Sequence, residues 1–240
     1  MLPSGTEAQA NLTNGATLLA FASVPVAMWI AHPDSAVPMG VGALAWVFAL
    51  VLKVVVNRTP QAERLSRRGP GGAALAGLVS GVSELGVLWL AVAAGMAEAT
   101  LQSGLWCGIG AAAVEVAYLV ITGVRRRHDP ELRRQHRVWL RGAAASRVVA
   151  HMFAIERALA TLIHVASRVL VMASISLGVV WPVLLALLAF TAVDGTATYG
   201  AVHRWNWCRP TTARRFYLLL ALCAVAVCIA AGWLAVRPVG

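Results

Sequence analysis

Seven ionisable side chains sit where apolar surroundings make them costly. Glu84, Glu115, Glu156 and Asp194 lie inside long apolar runs, together with Arg157, His164 and Arg168. An ionisable group at bilayer depth costs ~2.5–3.5 kcal/mol on insertion scales, so such groups face one another, water or a functional cavity. Clustered carboxylates in a low-dielectric site suit general acid–base work on water. His164 could bind a metal, shuttle a proton or stabilise an oxyanion. Arg157 and Arg168 could keep carboxylates ionised or bind an anionic group. The bland alternative is a lattice of ion pairs that only fixes helix packing.

The stretch FAIERALATLIHVASRVLV, residues 153–171, concentrates four of the seven. At about 100° per residue, Glu156, Arg157, His164 and Arg168 fall within roughly 120° of one helix face. That stripe is expected to face the interior of a bundle. Depth counting places Glu84, Glu115, Glu156 and Asp194 in the central half of their helices or toward one end, so all could meet in one site. GLVSG (Gly77 to Gly81) and GLWCG (Gly104 to Gly108) offer small-residue faces for close helix approach, expected to draw Glu84 toward Glu115.

The elements that must position these groups follow from composition. The 240 residues are 59% hydrophobic and 12% charged, with mean hydropathy +0.73. A soluble domain carries about 25% charge, so a soluble enzyme is excluded. The expected fold is all-α: a polytopic transmembrane bundle forming a single membrane domain over 1–240. Seven spans are expected at roughly 15–31, 39–56, 73–96, 101–123, 149–175, 178–202 and 215–236. Pro25 is expected to kink the first, and GPGG at Gly69 to Gly72 reads as a linker. The start, MLPSGTEAQANLTNG, lacks a basic n-region and is expected to be retained.

The net charge of +10 is explained by placement. Arginines crowd the connections between spans two and three, four and five, and six and seven, with Lys53 beside the first group. By the positive-inside rule these connections are cytoplasmic, the N-terminus is inside and the C-terminus outside. Nucleic acid is therefore not an expected partner; anionic lipid is. In DPELRRQHRVWLRG, about 129–142, Asp129 and Pro130 can start a helix with Leu132, His136, Trp139 and Leu140 on one face and arginines on the other. Cys107, Cys208, Cys223 and Cys228 form no CxxC pair, so neither a disulfide framework nor a cysteine-ligated metal is expected.

Three blocks carry a resemblance to a known family. ERALATLIHVASRVLV has a Glu-Arg pair, a His eight residues after the Glu, and a small-residue and Val-rich continuation. GIGAAAVE, ending at Glu115, resembles a Gly-x-Gly-His-x-x-x-Glu run, and LALLAFTAVDG, holding Asp194, resembles a His-x-x-x-Asp helix. SGVSELG around Glu84 is a fainter fourth, where the family has paired glutamates followed by Arg. Together they resemble the YhfC-type intramembrane metalloproteases, distant relatives of the CAAX-prenyl protease and bacteriocin-processing group.

The resemblance implies hydrolysis of a peptide bond in or beside the membrane. Glu84 or Glu115 would activate water; His164 and Asp194 would position that water, a metal or the oxyanion; Glu156 and Arg157 complete the implied site. A divalent metal such as zinc would rest on His164 and Glu115. The chain departs from the pattern at Ala111 and Phe190, where the family has His, at Ser83, where it has a second Glu, and at Val87 or Leu88, where it has Arg. One His with carboxylates makes a poor zinc site, since catalytic zinc has three protein ligands.

Three functional readings follow. The first is a glutamate–histidine peptidase acting on a peptide or membrane-protein segment. The second is a catalytically inactive relative that binds a peptide, lipid or partner. The third is a small proton-coupled transporter, disfavoured because no internal repeat is visible. The bilayer is a partner in all three. High Ala, Gly and Arg usage suits a bacterial source and hence the inner membrane.

Overall fold

A computed structural model describes residues 5–60, 64, 69–126, 138–139, 142 and 146–236. All described long elements are helices: α1 (Gly5–Ala31), α2 (Ala36–Asn57), α3 (Pro70–Ala93), α4 (Leu101–Arg126), α5 (Met152–Leu177), α6 (Trp181–Val202) and α7 (Pro210–Ala235). A 3₁₀ turn, Pro33–Ser35, precedes α2, and a short helical turn, Arg147–Ala150, precedes α5.

Six of these helices are long and apolar enough to cross a membrane, at 22–26 residues each. At 1.5 Å per residue they reach ~33–39 Å, against a hydrocarbon core of ~30 Å. They fit an integral membrane protein. The first expected span, 15–31, is helical as the later part of α1, and its apolar stretch Gly15–Ala31 is shorter than the six membrane-length helices. Thr6, Glu7, Gln9, Asn11, Thr13 and Asn14 make the first turns of α1 polar. Of the helix expected at 129–142, only Val138, Trp139 and Gly142 are described; the rest lies outside the described residues. Trp139 Nε1 donates to Val149 O at 3.2 Å.

Local chemistry sets the ends. GPGG is not a linker. Gly69 takes φ +82°, and Pro70 opens α3 immediately after it, where a missing N–H costs nothing. Gly95 and Gly178 end α3 and α5 at φ +77° and +65°. Each is followed by a back-bond, Met96 N to Ala91 O at 3.0 Å and Val179 N to Ser174 O at 3.2 Å, which closes a Schellman motif.

α5 lies at the centre, against α4, α7, α6, α3 and α1. Of its membrane-length window 61% is buried, against 28–44% for the others. Leu170, Val171, Met172 and Ala173 are fully enclosed. The outer surface is apolar instead: Phe48, Leu90, Leu188, Leu222 and Ile229 are all exposed, as lipid-facing residues should be.

The glycine faces work differently from expectation. They do not pair α3 with α4. A methyl group on Gly77 would stand 2.5 Å from Thr191 O, so the GLVSG face seats α3 on α6. One on Gly104 would stand 2.7 Å from Val169 Cα, so the GLWCG face seats α4 on α5. Glu84 is thereby brought toward α6, and Glu115 toward α5. Gly42 and Gly110 do the same for α2 and α4, each against the other helix's backbone.

Candidate functional site

The close α3–α6 and α4–α5 seams leave a cavity of about 150 Å³ between the helices. Its lining takes Lys53 from α2, Glu84 from α3, Glu115 from α4, Glu156, Arg157 and His164 from α5, and Asp194 from α6. Six of the seven ionisable residues named from the sequence therefore border one space, and the seventh, Arg168, reaches it through Glu84. Trp46, Phe190, Phe216 and Leu220 supply apolar wall.

The charges are matched pair by pair. Glu84 is clamped on both oxygens: Lys53 Nζ donates to Oε1, and Arg168 Nη2 lies 2.6 Å from Oε2. Arg168 is fixed further by Nη1 donating to Ser167 Oγ at 2.9 Å and by the Phe190 ring, whose centroid is 5.3 Å from its Cζ. Arg157 bridges two acids, reaching Glu115 Oε1 at 3.1 Å and Glu156 Oε1 at 3.0 Å. Glu115 Oε2 lies 2.8 Å from His164 Nε2. Asp194 Oδ2 accepts the Ser80 hydroxyl.

Burial grades along the site. The side chains of Glu84, Glu115 and Glu156 are 4%, 21% and 37% exposed, so the cavity opens at the Glu156 end. Glu156 is five residues into α5, on the side of the basic connections. Two buried polar atoms of the site have no hydrogen-bond partner among the described residues: His164 Nδ1 and Arg157 Nε. The nearest carboxylate to Nδ1 is Glu84 Oε2, at 3.6 Å. A His164 ring that donates from Nε2 to Glu115 and carries no second proton would present a lone pair at Nδ1. Such a site offers a basic nitrogen and a spare guanidinium N–H.

A divalent metal does not fit these residues. Both oxygens of Glu84 and both of Glu115 are engaged by cations or by His164. No group of three His, Cys, Asp or Glu among the described residues converges as a ligand set. His164 and Glu115, expected as metal ligands, instead hydrogen-bond one another. Where the resemblance would add imidazoles, Ala111 is fully buried and Phe190 packs edge-on against His164, 5.8 Å between centroids at 74°.

Two partners were not singled out from the sequence. Lys53 reads as part of the arginine-rich connection because it lies near the end of α2, where lysines normally reach outward. Here it turns inward to Glu84. The signal that could have found it is charge balance: four intramembrane acids faced only two arginines. Ser80 carried no signal beyond lying four residues before Glu84, one helical turn away.

No family model, curated protein or solved structure matches this chain.

Proposed function

We propose that this chain is a membrane-embedded hydrolase that cleaves a peptide bond with a glutamate–histidine pair and without a metal. One observation carries the reading: Glu115 holds His164 by Nε2, leaving Nδ1 unpartnered in a buried cavity. A hydrogen-bonded carboxylate that orients an imidazole is the general-base arrangement of hydrolytic sites. The likeness of ERALATLIHVASRVLV to the YhfC-type proteases points to the same reaction class.

The chemistry closes with the residues present. His164 Nδ1 takes a proton from water as the water oxygen bonds to the substrate carbonyl carbon. The carbonyl electrons move to oxygen, and the Arg157 Nε–H receives that oxyanion. The imidazolium formed lies between Glu115 and Glu84, two carboxylates that offset its charge. Collapse of the tetrahedral intermediate breaks the C–N bond, and the proton on Nδ1 passes to the departing amine. Carboxylic acid and amine are released with His164 neutral again. Glu84, clamped by Lys53 and Arg168, contributes charge and position rather than proton transfer.

The arginine-rich end, onto which the cavity opens, is assigned to the cytoplasm, with the N-terminus inside. The membrane is assigned as a bacterial inner membrane. A second reading is supported by Phe190, which fills space beside His164 where the resembling family has a further imidazole: a catalytically inactive relative that binds a peptide in the cavity.

The test uses detergent-purified protein with a fluorogenic peptide library, beside Glu115→Gln and His164→Ala, with and without EDTA. Cleavage lost in both variants and unchanged by chelator is the expected result. Retained cleavage in Glu115→Gln would overturn the pair, and chelator inhibition would overturn the metal-free mechanism. A folded wild-type protein that binds peptides without cleaving any would favour the inactive relative.

A further inference from the structure

The site holds four carboxylates, three Lys or Arg cations and His164. Among the described residues Glu84 has Lys53 and Arg168, Glu115 and Glu156 share Arg157, and Asp194 has no cation within ion-pair distance and only the Ser80 hydroxyl on Oδ2. With His164 neutral, as the hydrolase reading has it, four carboxylates face three cations, and Asp194 is the one held at ion-pair distance by none of them. In a cavity with largely apolar walls an unmatched carboxylate draws in a cation or a proton.

The shape selects among cations. A cavity of about 150 Å³ holds one benzene-sized group. That is room for one side chain and not for a folded ligand. Trp46, Val193, Phe216 and Leu220 offer apolar and aromatic wall that suits a methylene stem, and Asp194 lies on the same lining. The arginines of the described connections do not line the cavity.

We propose that the cavity is a cation subsite in which Asp194 receives an ammonium or guanidinium group of the peptide substrate. The source is a Lys or Arg side chain or the free amino terminus. The inference rests on the hydrolase reading for its choice of a peptide and for a neutral His164, but binding reads it out without turnover.

The experiment measures equilibrium binding to the full chain in detergent micelles by fluorescence anisotropy. The probes are dye-labelled Ala-Leu-X-Leu-Ala peptides, blocked at both ends, with X as Lys or the neutral isostere norleucine. A third probe is the norleucine peptide with a free amino terminus. Lys is expected to bind about tenfold tighter than blocked norleucine, the order of one charge-assisted hydrogen bond. Asp194→Asn is expected to erase that preference, while His164→Ala keeps it and loses cleavage. A preference for the free amino terminus instead of Lys would assign the subsite to the α-ammonium. Equal binding of all three probes to wild type, binding of none, or a preference that survives Asp194→Asn would overturn the subsite. Preference without cleavage would leave the subsite standing and remove the hydrolase reading; cleavage without preference would do the reverse.

Discussion

Glu84→Gln should cost far more than a surface charge change, and the geometry says how much. Glu84 is 4% exposed and ties α2, α3 and α5 together through Lys53 and Arg168. Removing one partner of a buried pair costs about 3–5 kcal/mol, because the remaining charge is left unmatched. The two cations do not suffer alike. Lys53 is four residues from the end of α2, ~6 Å at helical rise, so it can turn outward to the interface. Arg168 is nine residues from the end of α5, ~14 Å, and its side chain is 3% exposed. Only Arg168 stays stranded, with Ser167 and the Phe190 face as its remaining contacts. The expected loss is therefore near the lower bound, about 3 kcal/mol or roughly a hundredfold in the folded-to-unfolded ratio. Adding Arg168→Met, which removes the stranded charge, should recover most of it. Reversible unfolding in mixed detergent micelles measures both variants. An unchanged Glu84→Gln protein, or a double variant no more stable than the single one, would refute the argument.

Three further outcomes follow from the same contacts. Glu156→Gln should change stability by less than about 1 kcal/mol in the same unfolding assay, since its pair with Arg157 is solvent-screened at the cavity mouth. Gly108→Ala would place a methyl 2.4 Å from Val165 Cα and 3.0 Å from His164 O, forcing α4 off α5 and shifting the Glu115–His164 contact; Gly86→Ala meets nothing within 4 Å and should gain up to about 1 kcal/mol of helix propensity. Peptide cleavage rate should fall in the first and hold in the second. Cys208, between α6 and α7, has its thiol pushed up by burial, so maleimide labelling of a variant keeping Cys208 alone should be slow at neutral pH and accelerate above it. With an impermeant maleimide it should label inside-out vesicles and not intact cells; the opposite pattern would overturn the assigned orientation.

How much of this was legible in the sequence depends on the range of the contact. Apolar run length gave helix positions to within a few residues, because lipid demands backbone bonding within each segment. Six of the seven expected spans reach membrane length; at α1 the helix starts ten residues before the expected span, and its apolar stretch is the shorter Gly15–Ala31. The stripe on α5 was legible because 100° per residue is local geometry, and it faces the cavity with Arg157, His164 and Arg168 all buried. Which helix each glycine face meets was not legible. GLVSG and GLWCG specify a close approach but not a partner, and the partners proved to be α6 and α5 rather than each other. The same limit hid Lys53: nothing local to α2 says that its ammonium turns inward. Its place follows only once Glu84 and Arg168 are on adjoining helices and a second cation is needed for a fully buried carboxylate. Asp194 is the converse case. Its position was readable, but its want of a cation shows only after every other charge has been assigned, and that want separates a cavity that is merely ion-paired from one with room for a ligand's charge.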